Sequence, residues 1–185
     1  MRVISGKARG KKLNSLQGLE TRPTLDRVKE AVFNIIQFNL KDSNVLDLFS
    51  GSGALGIEAL SRGAKKAFFC DNSKKAIEVI KSNIQATKLI DESRIINKDY
   101  IDAIDQLKID DEKFDIIFLD PPYKSDYAIK AIKNILENKL LAEDGIIIVE
   151  TDDKNKITEI ERNKEIEVYD TRKYGIVYVV FIRKG

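Results

Sequence analysis

From Asn44 onward, short apolar runs alternate with longer stretches in which apolar residues recur every three or four positions. The runs predict strands at Val45–Phe49, Lys66–Asp71, Arg94–Asn97, Phe114–Leu119 and Gly145–Glu150, then a pair at Ile166–Thr171 and Ile176–Arg183. The periodic stretches predict helices at Ala54–Arg62, closed by Gly63, at Lys74–Lys88, at Tyr127–Asn138 and, more weakly marked, at Asn155–Arg162. Such alternation builds an α/β fold with a mainly parallel sheet covered on both faces. The last two strands have no helix between them, so they run antiparallel and close a seven-stranded sheet at its edge.

Upstream of Asn44 the pattern changes. Residues 1–14 read as two short strands around a glycine-bearing turn, and Leu16–Arg22 as a loop. A helix then starts around Pro23, with Thr24 as its N-cap and Asp26 in its first turn. Val28, Ala31, Val32, Ile35 and Ile36 share one of its faces. The chain divides accordingly into a basic appendage, residues 1–23, and an α/β domain, residues 24–185. Removal of residues 1–12 is expected to leave the sheet folded.

Composition narrows the chemistry. The 185 residues, 43% of them hydrophobic, suit one core and leave no room for two full domains. No stretch approaches the ~18 apolar residues of a membrane span, and the N-terminus lacks the apolar centre of a signal peptide, so a cytoplasmic protein without membrane contact is expected. With no histidine and Cys70 as the single cysteine, Ser-His-Asp catalysis, Cys-His dyads, internal disulfides and histidine-ligated zinc are excluded, and no metal is expected. Net charge is only +2, yet residues 1–30 hold eight Lys or Arg against three Asp or Glu. Positive charge gathered at one end of a slightly acidic body points to a polyanion, with RNA or DNA first.

Two motifs carry the candidate chemistry. Gly51, Gly53 and Gly56 form a Gly-x-Gly-x-x-Gly between the first predicted strand, ending in Asp47 and Phe49, and the helix from Ala54; Ser50 opens the turn. Asp71 follows Gly51 by 20 residues, at the end of the next strand, where an acid accepts hydrogen bonds from a ribose diol. Asp99, after the third strand, suits an adenine amino group, with Asn72 and Tyr100 as candidates for the adenine wall. NAD and S-adenosylmethionine both satisfy this site, although about 140 residues after Asn44 leave little chain for the substrate domain of an NAD enzyme.

The second motif, Asp120-Pro121-Pro122-Tyr123, ends the apolar run Phe114–Leu119. Two prolines remove two N–H donors and keep their carbonyls, while an ionised Asp120 only accepts. Such a loop suits an exocyclic amine, held by both its hydrogens with the nitrogen lone pair left toward a methyl donor. Tyr123 offers a face on which an unstacked base can rest.

With Arg9-Gly10, Thr21-Arg22-Pro23-Thr24 and Asp26-Arg27-Val28-Lys29-Glu30, these motifs make the chain resemble the bacterial RsmD-type methyltransferases over essentially its whole length. The resemblance implies a Rossmann-like class I methyltransferase fold with S-adenosylmethionine as cofactor. It also implies methyl transfer to the N2 amine of a guanine in small-subunit (16S) ribosomal RNA, free or within an assembling or assembled subunit, by a monomer. By the same likeness the cofactor site comprises Asp47, Phe49, Ser50, Gly51, Gly53, Asp71, Asn72, Asp99 and Tyr100, and the base site Asp120, Pro121, Pro122 and Tyr123. The resemblance sets Arg22 and Arg27 at the border of the active site, contacting RNA backbone or fixing a cofactor lid, and Arg9, Lys11, Arg22 and Arg27 are the cations expected to face RNA. Asp71 departs from the family pattern, being shorter than the usual glutamate. The alternatives are adenine-N6 methylation, a nicotinamide-dependent oxidoreductase, or a non-catalytic RNA-binding assembly factor.

Overall fold

The computed structural model of the chain describes residues 1–16, 23–122 and 126–185. The strands are β1 (Asn44–Asp47), β2 (Lys66–Cys70), β3 (Ser93–Ile96), β4 (Phe114–Leu119), β5 (Leu141–Thr151), β6 (Ile166–Tyr174) and β7 (Val177–Lys184). Among the described residues they form one sheet in the order β3-β2-β1-β4-β5-β7-β6. The first five are parallel, and β7 is antiparallel to both β5 and β6.

Alternation of side chains along each strand divides the core into two layers. In β4, Ile116 and Phe118 enter one layer, and Phe114, Ile117 and Leu119 the other. Helices α1 (Pro23–Ile35), α2 (Ala54–Ser61) and α3 (Lys74–Thr87) cover the first layer with residues such as Phe33, Ile57 and Ile80. Helices α4 (Tyr100–Ile109), α5 (Tyr127–Glu137) and α6 (Lys154–Glu161) cover the second. Both faces of the central strands are dry, which is why those strands read as unbroken apolar runs. No helix among the described residues is long and apolar enough to cross a membrane.

Helix α4 is absent from the sequence-based expectation. Its buried stripe, Tyr100, Ala103, Ile104 and Leu107, has helical spacing, but Ile101 and Ile109 are exposed on its outer side and blur the periodicity. Helix α1 starts at Pro23, so its backbone begins one residue before Thr24. Strand β5 begins four residues before Gly145, and β6 continues through the polar Arg172 and Lys173 because each pairs with an apolar strand, to Val179 and Tyr178.

The N-terminal segment forms a hairpin-like loop with one antiparallel bridge, Arg2 to Lys12. Val3, Ala8 and Leu13 are buried in the first layer. The carboxylate of Glu58, on α2, accepts the backbone N–H of Ile4 at 2.8 Å and of Ser5 at 3.0 Å. The expectation that the sheet stays folded without residues 1–12 meets a cost: these residues pack into the first layer and give a buried carboxylate two donors, which their loss would take away.

Candidate active site

A cavity of about 530 Å³ opens at the C-terminal edge of the parallel strands, where unpaired strand ends and helix starts leave room for a ligand. Its floor is the turn between β1 and α2. Gly53 adopts φ +75° as the residue preceding α2, and its N–H donates to the Ser50 carbonyl at 2.7 Å. The Ser50 hydroxyl donates to the Asp47 carbonyl at 2.5 Å, and its N–H reaches the Cys70 carbonyl at 3.0 Å, fixing the turn against the end of β2. A Cβ on Gly51 would meet only open space, whereas one on Gly56 would come within 2.4 Å of the Phe69 ring. Gly51 thus keeps the cavity floor bare, and Gly56 lets α2 pack on the sheet.

Asp71 locks to this turn. One of its oxygens accepts the Gly51 N–H at 2.9 Å and the other the Ser73 N–H at 2.8 Å. Each oxygen retains a lone pair, so the carboxylate is oriented and still able to accept a diol. Asn72 and Asp99 stand exposed at the rim, and Asp99 caps α4 by accepting the Ile101 N–H at 3.0 Å. Phe49, Tyr100 and Tyr127 form an aromatic wall with ring centroids 5.3–6.3 Å apart, the rings of Phe49 and Tyr127 stacked within 2° of parallel. A planar heterocycle can rest against such a wall.

Three further carboxyls meet the cavity. Asp47 is 2% exposed, accepts the Gly56 N–H at 3.1 Å, and is pushed up to about 7 by burial, with the charges of Asp120 and Asp71 adding to the effect. Asp120 opens on the cleft but is enclosed by protein on its other sides, and this desolvation raises its pKa. Burial, and then the charges of Asp120 and Asp47, raise that of Glu150. Among the described residues, neither Asp120 nor Glu150 takes a hydrogen bond. Carboxyls held against their own ionisation are the surroundings a cationic ligand relieves. A donor combining an adenosine diol with a sulfonium therefore fits the residues present: Asp71 for the diol, the aromatic wall for the adenine, and the Asp47 side for the positive charge.

The structure brings Asp47, Phe49, Ser50, Gly51, Asp71, Asn72, Asp99, Tyr100, Asp120, Pro121 and Pro122 around this one cavity. Gly53 lies just beneath. Tyr123 and Arg22 fall outside the described residues. Arg9 and Arg27 are exposed and line a second groove with Arg2, while Lys11 is exposed nearby on the same hairpin. Four residues with a place here were missed: Tyr127, Glu150, Lys29 and Asn83. Glu150 obeys the same positional rule as Asp120, an acid where an apolar strand ends. Asn83, 1% exposed on α3, donates to the carbonyls of Ser52 and Asn14, tying the glycine turn to the N-terminal segment. A lone asparagine on an amphipathic helix announces none of this.

The fold and the site define a methyltransferase of the class that takes its methyl group from S-adenosylmethionine. The family described as conserved hypothetical protein 95 matches residues 1–183. Ribosomal RNA small subunit methyltransferase D of Haemophilus influenzae is 42% identical over 160 residues, covering 85% of this chain and 82% of that protein. YlbH of Bacillus subtilis, an inferred rRNA methyltransferase, is 40% identical over 100% of this chain and 99% of its own length. Among solved structures, the inferred methyltransferase yhhF of Escherichia coli superposes with a TM-score of 0.84 at 30% identity, over 100% of this chain and 97% of that one. The chain belongs to this family, the RsmD-type rRNA methyltransferases.

Proposed function

We propose that the protein methylates the exocyclic N2 amine of a guanine in small-subunit ribosomal RNA, in the cytoplasm, where that RNA is assembled. The observation that carries this reading is Asp120-Pro121-Pro122 at the end of β4, beside the glycine turn, with a carboxyl that no described residue engages. When bound, S-adenosylmethionine supplies a methyl group made electrophilic by its sulfonium. Asp120 accepts one amine hydrogen and the loop carbonyls suit the other, which draws the nitrogen lone pair out of conjugation and aims it at the donor. Positioning of this kind replaces the need for a strong base. The nitrogen–carbon bond would form as the methyl's bond to sulfur breaks, the donor leaving as the neutral thioether S-adenosylhomocysteine, and the amine, made acidic by the transfer, would lose its proton to the Asp120 carboxylate or to water.

The exposed Arg9, Lys11 and Arg27 supply cations for an RNA backbone, and the names of the relatives favour ribosomal RNA. Choosing one guanine in a long RNA calls for shape, so a folded subunit is the favoured substrate. The test offers labelled S-adenosylmethionine with unmodified small subunits, naked ribosomal RNA and DNA, followed by nucleoside analysis. N2-methylguanosine at one position is expected; N6-methyladenosine or labelled DNA would overturn the reading.

A further inference from the structure

Five neighbouring parallel strands, β3, β2, β1, β4 and β5, each bring one carboxyl to the same edge: Asp99, Asp71, Asp47, Asp120 and Glu150. The first three stand on the glycine-turn side, which suits the methyl donor. Glu150 stands one strand beyond Asp120, on the side away from that turn. Leu119 pairs with Val149, so Asp120 and Glu150 are neighbours on adjacent strands about 4.8 Å apart. Alternation places both on the layer of Phe118 and Ile148. Both line the cavity, and neither accepts a hydrogen bond from a described residue. The position of Glu150 therefore matches the part of the substrate next to the gripped amine.

On guanine that neighbour is N1–H, a donor, and beyond it O6, an acceptor; adenine presents a bare N1. We propose that Glu150 is the residue that selects guanine, its carboxyl accepting the N1–H while Asp120 holds the amine. This inference rests on the guanine-N2 reading above. The raised pKa of Glu150 agrees with it, since a neutral carboxyl accepts N1–H through its carbonyl oxygen and donates its O–H to O6 on the same edge.

The experiment uses the full protein and small-subunit RNA carrying either guanine or 2-aminopurine at the modified position, the latter keeping the amine but lacking N1–H. Glu150→Ala is expected to lower kcat/KM for guanine by about 10- to 100-fold, the range of one specific base contact, while leaving the 2-aminopurine rate and the affinity for S-adenosylmethionine within about threefold. Glu150→Gln, whose amide offers the same acceptor and donor as a neutral carboxyl, should restore guanine methylation to within about threefold. Glu150→Met fills the same space and carries the same expectation as Glu150→Ala should that variant not fold. Equal losses on both bases, or weakened donor binding, would overturn the proposal. Failure of the guanine-N2 reading itself shows separately, as a wild-type product other than N2-methylguanosine.

Discussion

Lys29 and Glu58 form an ion pair at 3.2 Å with both side chains almost wholly removed from solvent, 4% and 0% exposed. Glu58 also receives Arg62 at 2.8 Å and the N–H groups of Ile4 and Ser5, and Lys29 donates to the Arg2 carbonyl at 2.6 Å. Helix α1, helix α2 and the N-terminal hairpin thus meet at one carboxylate. Removing it leaves a buried ammonium without its counter-ion and two N–H groups without their acceptor, so Glu58→Ala should cost about 3–5 kcal/mol in urea unfolding. Lys29→Met leaves Glu58 still paired with Arg62 and both N–H groups, and should cost less, about 1–3 kcal/mol.

Asp47 yields a pH dependence with a definite sign. In the unfolded chain it ionises near 3.8, whereas in the native protein it holds its proton to about 7. Between those values the native state binds the extra proton, so stability of the ligand-free protein falls as pH rises from about 4 to 7. Asp47→Asn should flatten this slope in melting curves taken across that interval. Affinity for the cationic methyl donor should move the opposite way, rising with pH as Asp47 ionises. A donor affinity that falls with pH would contradict the electrostatic role given to the Asp47 side.

The glycines of the turn should separate binding from folding. Gly51→Ala places a methyl group in open space at φ +53° and should cost about 1–2 kcal/mol of stability while abolishing donor binding. Gly56→Ala drives a Cβ into the Phe69 ring and should cost about 1–3 kcal/mol, its loss of activity following its loss of fold. Calorimetry of binding alongside thermal melting distinguishes the two.

Asp120→Ala should lower kcat by at least ~10²-fold, in the range lost with a positioned catalytic group, with donor affinity held within a few-fold. Unchanged methyl transfer would remove Asp120 from the amine-gripping role.

Arg9→Ala and Arg27→Ala should each weaken RNA binding and reduce the slope of log affinity against log salt by about 1. The donor affinity of both variants should match the wild type, because the groove holding Arg9 and Arg27 is distinct from the methyl-donor cavity.

The central strands β1, β2, β4 and the second half of β5 were legible because both of their faces are buried, so their apolar runs stand out against any background. The helix from Tyr100 was not, since two exposed isoleucines counterfeit a second apolar side on it. Spacing from a glycine turn and position at a strand end were enough to put Asp71 and Asp120 at the edge where the cavity opens.

The amino-acid order by itself determined the parallel sheet, the glycine turn and the Asp-Pro-Pro segment at the end of β4, because each is written in residues close together along the chain. Only the tertiary structure decided that Glu150 stands beside Asp120, that Tyr127 joins Phe49 and Tyr100, and that Glu58 anchors a hairpin more than fifty residues upstream. These relationships arise from strand order and layer packing. They join residues that share no local pattern, so no spacing along the chain could have announced them.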